Sequence, residues 1–218
     1  ITVVPLRDLS SNELTEIIQP EPSSVPVSLN DRFGAPFGPL IFMEDFTPVE
    51  AVDIDRDGVA DLVGHQWECG AYSWSYRLGR GDGVFGTDIR IADEHRDRII
   101  SSEFNGDGYP DFLVYYRRHV SNVIILSNGR GQYDEPLPLE VDPGFWCTSG
   151  DMDNDGLVDL LTYRNRDKEI RLLAGLGNGT FVETQHQVPL ADHVSIQMKT
   201  GDYNNDGNLD FAFVSDGG

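Results

Sequence analysis

The chain has 218 residues but little positive charge, few cysteines and no long apolar run. It contains 16 Lys and Arg against 37 Asp and Glu, so its formal net charge is −21 at pH 7. Nucleic acids and anionic membrane surfaces both select basic proteins, and this balance therefore argues against either partner. No segment approaches the roughly 18 apolar residues of a membrane-spanning helix, so we expect no membrane insertion. Two cysteines also exclude a disulfide-dense scaffold.

The acidic residues recur in a fixed pattern. Four segments start at residues 53, 103, 151 and 202, so their starts lie 50, 48 and 51 residues apart. Each has oxygen-bearing side chains at positions 1, 3, 5 and 9 and a glycine at position 6. We name these segments loop 1 (residues 53–61), loop 2 (103–111), loop 3 (151–159) and loop 4 (202–210). Regular spacing of this kind predicts a repeat protein.

The spacing within each loop predicts one Ca²⁺ site per loop, about four ions in all. Ca²⁺ binds six to eight hard oxygens, and alternate side chains in a tight loop can supply them together with the backbone carbonyl at position 7. The predicted ligands are Asp53, Asp55, Asp57, Val59 and Asp61; Glu103, Asn105, Asp107, Tyr109 and Asp111; Asp151, Asp153, Asp155, Leu157 and Asp159; and Asp202, Asn204, Asp206, Asn208 and Asp210.

Two other interpretations of the loops were weighed. An EF-hand needs Glu at position 12, where this chain has Gly64, Val114, Thr162 or Phe213, so that interpretation fails. A set of Asx turns without metal stays open, because Asp and Asn side chains also hydrogen-bond their own backbone in turns.

The residues between the loops favour β-strands. Each loop is followed by an apolar segment, and Gly-rich turns closed by an aromatic residue lie at 78–86, 126–133 and 176–181. The pattern amounts to roughly four short strands in each period of about 50 residues, which is the size of a β-propeller blade. We therefore predict an all-β fold.

The loop pattern Asp-x-Asp-x-Asp-Gly-x-x-Asp and the turn Leu-Gly-x-Gly-Asp-Gly-x-Phe-Gly together resemble the FG-GAP/VCBS repeat family. Members include the calcium-binding propeller blades of integrin α-subunits and of many secreted microbial proteins. The resemblance covers about residues 29–214, and it implies a propeller of four-stranded blades with calcium bound at the loop positions named above. Loops 1 and 3 match fully, whereas Glu103, Asn105 and Asn204 depart from the pattern, which predicts weaker calcium binding by loops 2 and 4.

The number of blades is open at this level, because family propellers usually have seven. Residues 25–38 look like the back half of a blade and residues 200–214 like the front half of one. The halves could close a four-bladed ring, but we favour an incomplete ring or one that a partner completes. Residues 1–24 are predicted to be an N-terminal arm or linker, with a short helix from Ser10 through Ile18, and residues 25–218 to be the blades. The first residue is Ile1 rather than Met, which predicts a processed or excised segment.

These features predict a secreted or cell-surface, extracellular module that binds or adheres to a glycan or a protein. One alternative is a structural subunit of an extracellular assembly or filament, with self-association or completion by another chain. A second is a polysaccharide lyase acting on acidic glycans through His65 and Tyr115, although we assign no catalytic residue. Candidate ligand-binding residues are Trp67, Trp74, Tyr115 and Arg117, against the simpler role of blade packing. Pairing of Cys69 with Cys147 and glycosylation of Asn178 are both left open.

Overall fold

The computed structural model describes residues 17–18, 24–28, 40–68, 71–81, 83–93, 98–115, 122–129, 132–144, 146–164, 166–189 and 197–214. Within these residues every element of regular structure is a β-strand, and all strand pairs are antiparallel, so the predicted all-β class is confirmed. No helix in the described part of the chain is long and apolar enough to span a membrane. The chain divides into two compact units, residues 1–95 and residues 96–218.

The first unit contains two sheets. A three-stranded sheet consists of β1 (Ile17–Ile18), β2 (Ser24–Ser28) and β3 (Leu40–Glu44). A four-stranded sheet follows, in the order β4 (Phe46–Val52), β5 (Asp61–Glu68), β6 (Ala71–Arg77) and β7 (Ile89–Asp93). Asp45 links the two sheets in the left-handed region, with φ of 58°.

The N-terminal helix predicted to run through Ile18 is not observed at Ile17 and Ile18, which the structure describes as a strand. Ile17 and Ile18 are extended and pair with Ser28 and Val27. Two consecutive β-branched residues favour a strand over a helix end, because their side chains pack well on a pleated surface. Residues 10–16, where the helix was predicted to begin, lie outside the described residues.

The second unit contains two four-stranded sheets and a two-stranded one. The first has β8 (Arg98–Ser102), β9 (Asp111–Tyr115), β10 (Val123–Ile125) and β11 (Leu137–Pro138). The next has β12 (Trp146–Gly150), β13 (Asp159–Arg164), β14 (Glu169–Gly175) and β15 (Phe181–Pro189). The last has β16 (Gln197–Gly201) and β17 (Asp210–Val214). Each sheet follows chain order, as a propeller blade does.

Apolar residues on facing sheets form the core of the second unit. Leu113, Tyr115 and Ile124 of the β8–β11 sheet are buried with Leu160 and Leu173 of the β12–β15 sheet. The other face of the β12–β15 sheet is buried in a second cluster, which consists of Trp146, Leu161, Tyr163, Ile170 and Met198. Burying one such side chain fully contributes about 1.5–3 kcal/mol, so face-to-face contact between sheets is a principal source of stability here.

All four loops occupy one topological position. Each joins the first and second strands of its sheet, and the residue before position 1 is the cross-strand partner of the aspartate at position 9. The pairs are Val52 with Asp61, Ser102 with Asp111, Gly150 with Asp159 and Gly201 with Asp210. The repeat seen in the sequence is therefore a structural repeat of blade-like sheets, while the blade count and closure of a ring stay predictions.

Candidate metal centres

The aspartate at position 9 joins each loop to the rest of its sheet. Asp61 is 1% exposed; its Oδ2 accepts the N–H of Ile54 at 2.7 Å and its Oδ1 accepts the N–H of Gly79 at 2.7 Å. The same two contacts recur at Asp111, from Phe104 and Ser127, and at Asp159, from Met152 and Gly175. Each of these carboxylates thus connects position 2 of the loop to the end of the third strand. Asp210 accepts the equivalent position-2 N–H, from Tyr203, at 3.0 Å.

Burial perturbs the acidity of these carboxyls. Loss of solvent raises the pKa of Asp61 and of Asp111 to about 6, although two backbone N–H donors oppose the shift at each. Neighbouring carboxylates add to the rise, namely Asp53 and Asp55 for Asp61. Desolvation also raises the pKa of Asp159. A cation among these oxygens would favour the ionised form and so oppose the shift.

In loops 1, 3 and 4 the carboxylate at position 1 accepts hydrogen bonds from backbone N–H groups later in the same loop. In loop 1, Asp53 Oδ1 accepts the N–H of Asp57 at 3.1 Å and its Oδ2 accepts the N–H of Gly58 at 3.0 Å. Loops 3 and 4 repeat both bonds within 0.1 Å. Gly58 has φ of +88°, and a Cβ there would meet no atom within 4 Å. Position 6 is therefore glycine because of the backbone conformation and not because of limited space.

Carboxylate oxygens converge in loops 1 and 3. Oxygens of Asp53, Asp55 and Asp61 all lie within 4.8 Å of one another, and those of Asp151, Asp153 and Asp159 do the same. Burial and the charges of Asp57 and Asp53 also raise the pKa of Asp55. Three like charges this close repel one another, and hard oxygens in this arrangement are the ligands that Ca²⁺ prefers. The residues present in both loops therefore fit a calcium ion.

Loop 2 uses its oxygens differently. Glu103 Oε1 accepts the N–H groups of Asn105 at 3.0 Å and Gly106 at 2.5 Å, which are positions 3 and 4 rather than 5 and 6. Asn105 donates its side-chain amide to the carbonyl of Ser127 at 3.1 Å. The loop also contacts the next sheet, because Gly179 N–H donates to the Phe104 carbonyl at 2.8 Å. In loop 2, hydrogen bonds within the protein thus occupy the side chains at positions 1 and 3, which in loops 1 and 3 would bind a cation.

Loop 4 is intermediate between these cases. It keeps the bonds of Asp202 at position 1, but Asn204 replaces the carboxylate at position 3 and donates to Asp206 Oδ2 at 3.0 Å. Hydrogen bonds from Asn208 and Asn204 lower the pKa of Asp206. Asn154 of loop 3 donates to Asn208 Oδ1 at 2.6 Å, so the two loops are in contact.

The aromatic residues singled out in the sequence separate into buried and exposed groups. Trp74 and Tyr115 are each 1% exposed, so neither offers a face to a ligand. Tyr115 is also one of the two residues on which the lyase alternative depends, and that alternative stays a prediction. Trp67 is 44% exposed, and so is Tyr72, another aromatic residue of the same stretch of sequence. Arg117 lies outside the described residues.

Two smaller predictions concern covalent chemistry. Cys147 is a free thiol whose pKa is raised by burial, which makes it unreactive, and Cys69 lies outside the described residues. Asn178 is exposed, and its Oδ1 accepts the N–H of Thr180 at 3.1 Å. Its glycosylation stays a prediction.

Loops that alternate with small antiparallel sheets define a class of blade repeat proteins, and comparison with known proteins gives the family. The FG-GAP-like repeat is matched over residues 103–162 and 151–213, which together span just over half of the chain. The chain belongs to this family, as the sequence pattern predicted. Loop 1 lies outside the matched residues but has the same hydrogen bonds as loop 3.

Two solved structures are similar to this chain at low sequence identity. A lectin from Agrocybe aegerita, described as recognising non-reducing terminal N-acetylglucosamine, is 15% identical with a TM-score of 0.53, over 94% of this chain and 72% of the lectin. The Tc holotoxin pore of Photorhabdus luminescens is 13% identical with a TM-score of 0.43, over 92% of this chain and 12% of the toxin chain. No curated protein matches the sequence significantly. At this identity the likeness to the lectin concerns the fold alone.

Proposed function

We propose that this chain is a calcium-stabilised β-propeller module of a secreted or cell-surface protein and that it binds a glycan or a protein. The observation that carries the proposal is the convergence of three carboxylates within 4.8 Å in loop 1 and again in loop 3. Membership of the FG-GAP-like repeat family and a fold shared with a lectin support a binding role.

Calcium has a structural role in this proposal. In loop 1, Asp53 and Asp55 would hold the ion together with Asp61, whose carboxylate already accepts the N–H of Gly79, two residues after the end of the third strand. When bound, the ion supplies positive charge that offsets the repulsion among these carboxylates. The residues at position 5 and the carbonyl at position 7 stay predicted ligands. The loop, the hairpin and the third strand would then be held as one unit.

An extracellular location suits a calcium site of modest affinity, and it is part of the proposal. Extracellular calcium-binding modules commonly have dissociation constants of about 10⁻⁴–10⁻³ M, and millimolar calcium keeps such sites occupied. A ligand that binds only the folded state stabilises it by about 2.7 kcal/mol at a hundredfold excess over its dissociation constant. The module would therefore be stable outside the cell and weaker in a compartment poor in calcium.

Thermal unfolding with and without calcium tests the proposal. We expect calcium to raise the Tm of the purified chain, and the double variant Asp53→Asn/Asp151→Asn to lose most of that increase. Asp134→Asn is the matched control, because Asp134 is exposed and lies outside the loops. An unchanged Tm in calcium and in chelator would overturn the calcium role, and an equal loss in the control would show a general charge effect.

A second candidate function, a subunit of an extracellular assembly, draws on one observation. Phe211 and Phe213 on β17 are 37% and 42% exposed, and their rings stack at 6.4 Å between centroids. Exposed aromatic rings on a strand favour association with another surface. Sedimentation of the calcium-loaded chain would distinguish the two functions, because a chain that stays monomeric at high concentration contradicts the assembly role.

A further inference from the structure

An exposed aromatic pair lies at one end of the β4–β7 sheet, away from loop 1. Trp67 and Tyr72 are cross-strand partners beside the turn that joins β5 to β6. Each side chain is 44% exposed, their ring centroids are 4.5 Å apart, and their planes meet at 58°. Two large aromatic rings that leave nearly half of their area in water are unusual in a sheet whose other large aromatic residues are buried.

The pair packs against other rings of the same sheet. His65, which is half-buried, lies 3.8 Å from Trp74 between ring centroids with the planes tilted by 35°, and Tyr72 meets His65 edge-on at 6.1 Å. Trp74 itself is 1% exposed. Rings that are already packed lose less conformational freedom when a ligand binds, so less binding energy is lost to ordering them.

Polar groups flank the rings on the same face. Directly opposed residues of antiparallel strands point to the same side of the sheet, and Thr47 is opposed to His65. Asp45 is next to this row, since its carbonyl accepts the N–H of Trp67 at 2.9 Å. Both Asp45 and Thr47 are exposed. The Thr47 hydroxyl therefore belongs to the aromatic face, and the backbone of the exposed Asp45 is hydrogen-bonded to that of Trp67, so both residues are close enough to be candidate partners of a polar ligand.

Charge excludes one class of ligand. Arg77 and Arg90 are opposed to Leu62 and Ser75, which places them on the other face of the sheet. The described residues on the aromatic face include no Lys or Arg, and the chain as a whole carries a formal charge of −21. An anionic sugar such as a uronate or a sulfated residue would meet no cationic side chain among these described residues, and the net negative charge of the chain would repel it.

Size excludes a second class. Aromatic side chains offer about 150–250 Å² each, so two that are 44% exposed present on the order of 200 Å². A stable protein interface needs about 800 Å² on each partner. The flanking residues Asp45, Thr47 and Ala71 are exposed but not large apolar ones, so the apolar patch does not extend over these described neighbours. One hexose ring has the matching dimensions, and the C–H groups on its face suit an aromatic surface.

We propose that Trp67 and Tyr72 form a carbohydrate subsite for a pyranose that carries no acidic group, with Asp45 and Thr47 hydrogen-bonding its hydroxyls. This inference rests on the proposed binding function and specifies the ligand class. Carboxylate and hydroxyl groups fix orientation, whereas the rings supply contact area, which is the usual division of roles in a small-molecule site.

Saturation-transfer NMR on the full calcium-loaded chain tests the subsite with three trisaccharides. Cellotriose and triacetylchitotriose are neutral, and trigalacturonate is acidic. We expect transfer to at least one neutral trisaccharide and none to trigalacturonate. Trp67→Ala should weaken binding on the order of tenfold and Tyr72→Ala by a smaller factor. Trp67→Phe should retain part of the affinity, because it keeps a flat apolar ring.

Val182→Ala is the control, because Val182 is an apolar residue that is exposed to 50% and lies on β15, outside the subsite. It should leave sugar binding unchanged, and the calcium-induced rise in Tm should be the same in every variant. Three outcomes overturn the subsite: transfer only to trigalacturonate, neutral binding that survives Trp67→Ala, and no transfer to any sugar. In each of these, an intact calcium-induced Tm rise would leave the calcium role of the module standing, so the two failures are distinguishable.

Discussion

Loops 1 and 3 differ from loop 2 although all three follow the same path between strands. In loop 1 the side chains of Asp53, Asp55 and Asp61 converge, and the position-1 carboxylate accepts N–H groups from positions 5 and 6. In loop 2 the longer Glu103 accepts N–H groups from positions 3 and 4, and Asn105 donates to Ser127. Both types of loop keep a polar acceptor at position 1 and glycine at position 6, whereas a cation site also needs convergent charge.

What the loops share is the buried aspartate at position 9. Asp61 and Asp111 accept the same two backbone N–H groups at 2.6–2.7 Å. The hydrogen bonds do not depend on an ion, so this residue should be needed in every loop. Metal binding is then an addition to a hairpin that protein groups already define.

The largest loss of stability is expected on substitution of the aspartate at position 9, which all the loops share. Asp111→Ala leaves the buried N–H groups of Phe104 and Ser127 without their acceptor, and each such group costs about 1–3 kcal/mol. We expect a loss of about 2–5 kcal/mol in urea unfolding with chelator present. Asp107→Ala, at an exposed position of the same loop, should cost much less. Equal losses for the two variants would contradict the special role of position 9.

The next largest effect is expected when loop 2 is given the residues that loops 1 and 3 have at positions 1 and 3. The double variant Glu103→Asp/Asn105→Asp restores the carboxylates of loops 1 and 3, and it should raise the number of tightly bound Ca²⁺ by one in calorimetric titration. The reverse change in loop 3, Asp151→Glu/Asp153→Asn, should lower that number by one. If the count does not change in either variant, residue type at positions 1 and 3 does not decide occupancy.

The third prediction concerns pH, which should affect stability in chelator and calcium binding in opposite directions. Because the folded pKa of Asp61 and Asp111 is raised from 3.8 to about 6, their contribution to stability in chelator is complete below pH 3.8 and is lost as pH rises through 6. Each pKa unit corresponds to about 1.4 kcal/mol. We expect Asp61→Asn to flatten the pH dependence of unfolding between pH 4 and 7. Calcium binding should weaken over the same range as pH falls, because ions compete with protons for these oxygens.

The smallest effect concerns the turn itself. Gly156 has φ of +89° and open space around its Cα, so Gly156→Ala should cost on the order of 1 kcal/mol through backbone strain alone. Gly86→Ala is the control, because Gly86 is outside the left-handed region and a Cβ there would make only ordinary contacts. Equal stability of the two variants, measured by urea unfolding, would contradict a backbone origin for the glycine at position 6.

The sequence predicted the repeat and the loop positions, because ligand spacing and strand alternation are local properties. It did not predict which side chains are covered. Tyr115 and Trp67 both follow a position-9 aspartate on a second strand, yet one is 1% and the other 44% exposed. That difference depends on the neighbouring sheet, which no local pattern encodes. The bonds from Gly79 and Gly175 to position 9 were missed for the same reason, since they span 18 and 16 residues.

Those long-range bonds bear on the order of folding. A hairpin containing only β12, loop 3 and β13 lacks the Gly175 N–H that holds Asp159 in place, because that donor belongs to β14. High calcium affinity should therefore arise only after the third strand of a sheet has docked. During synthesis on the ribosome, a blade with a calcium site would bind its ion only after its first three strands had paired.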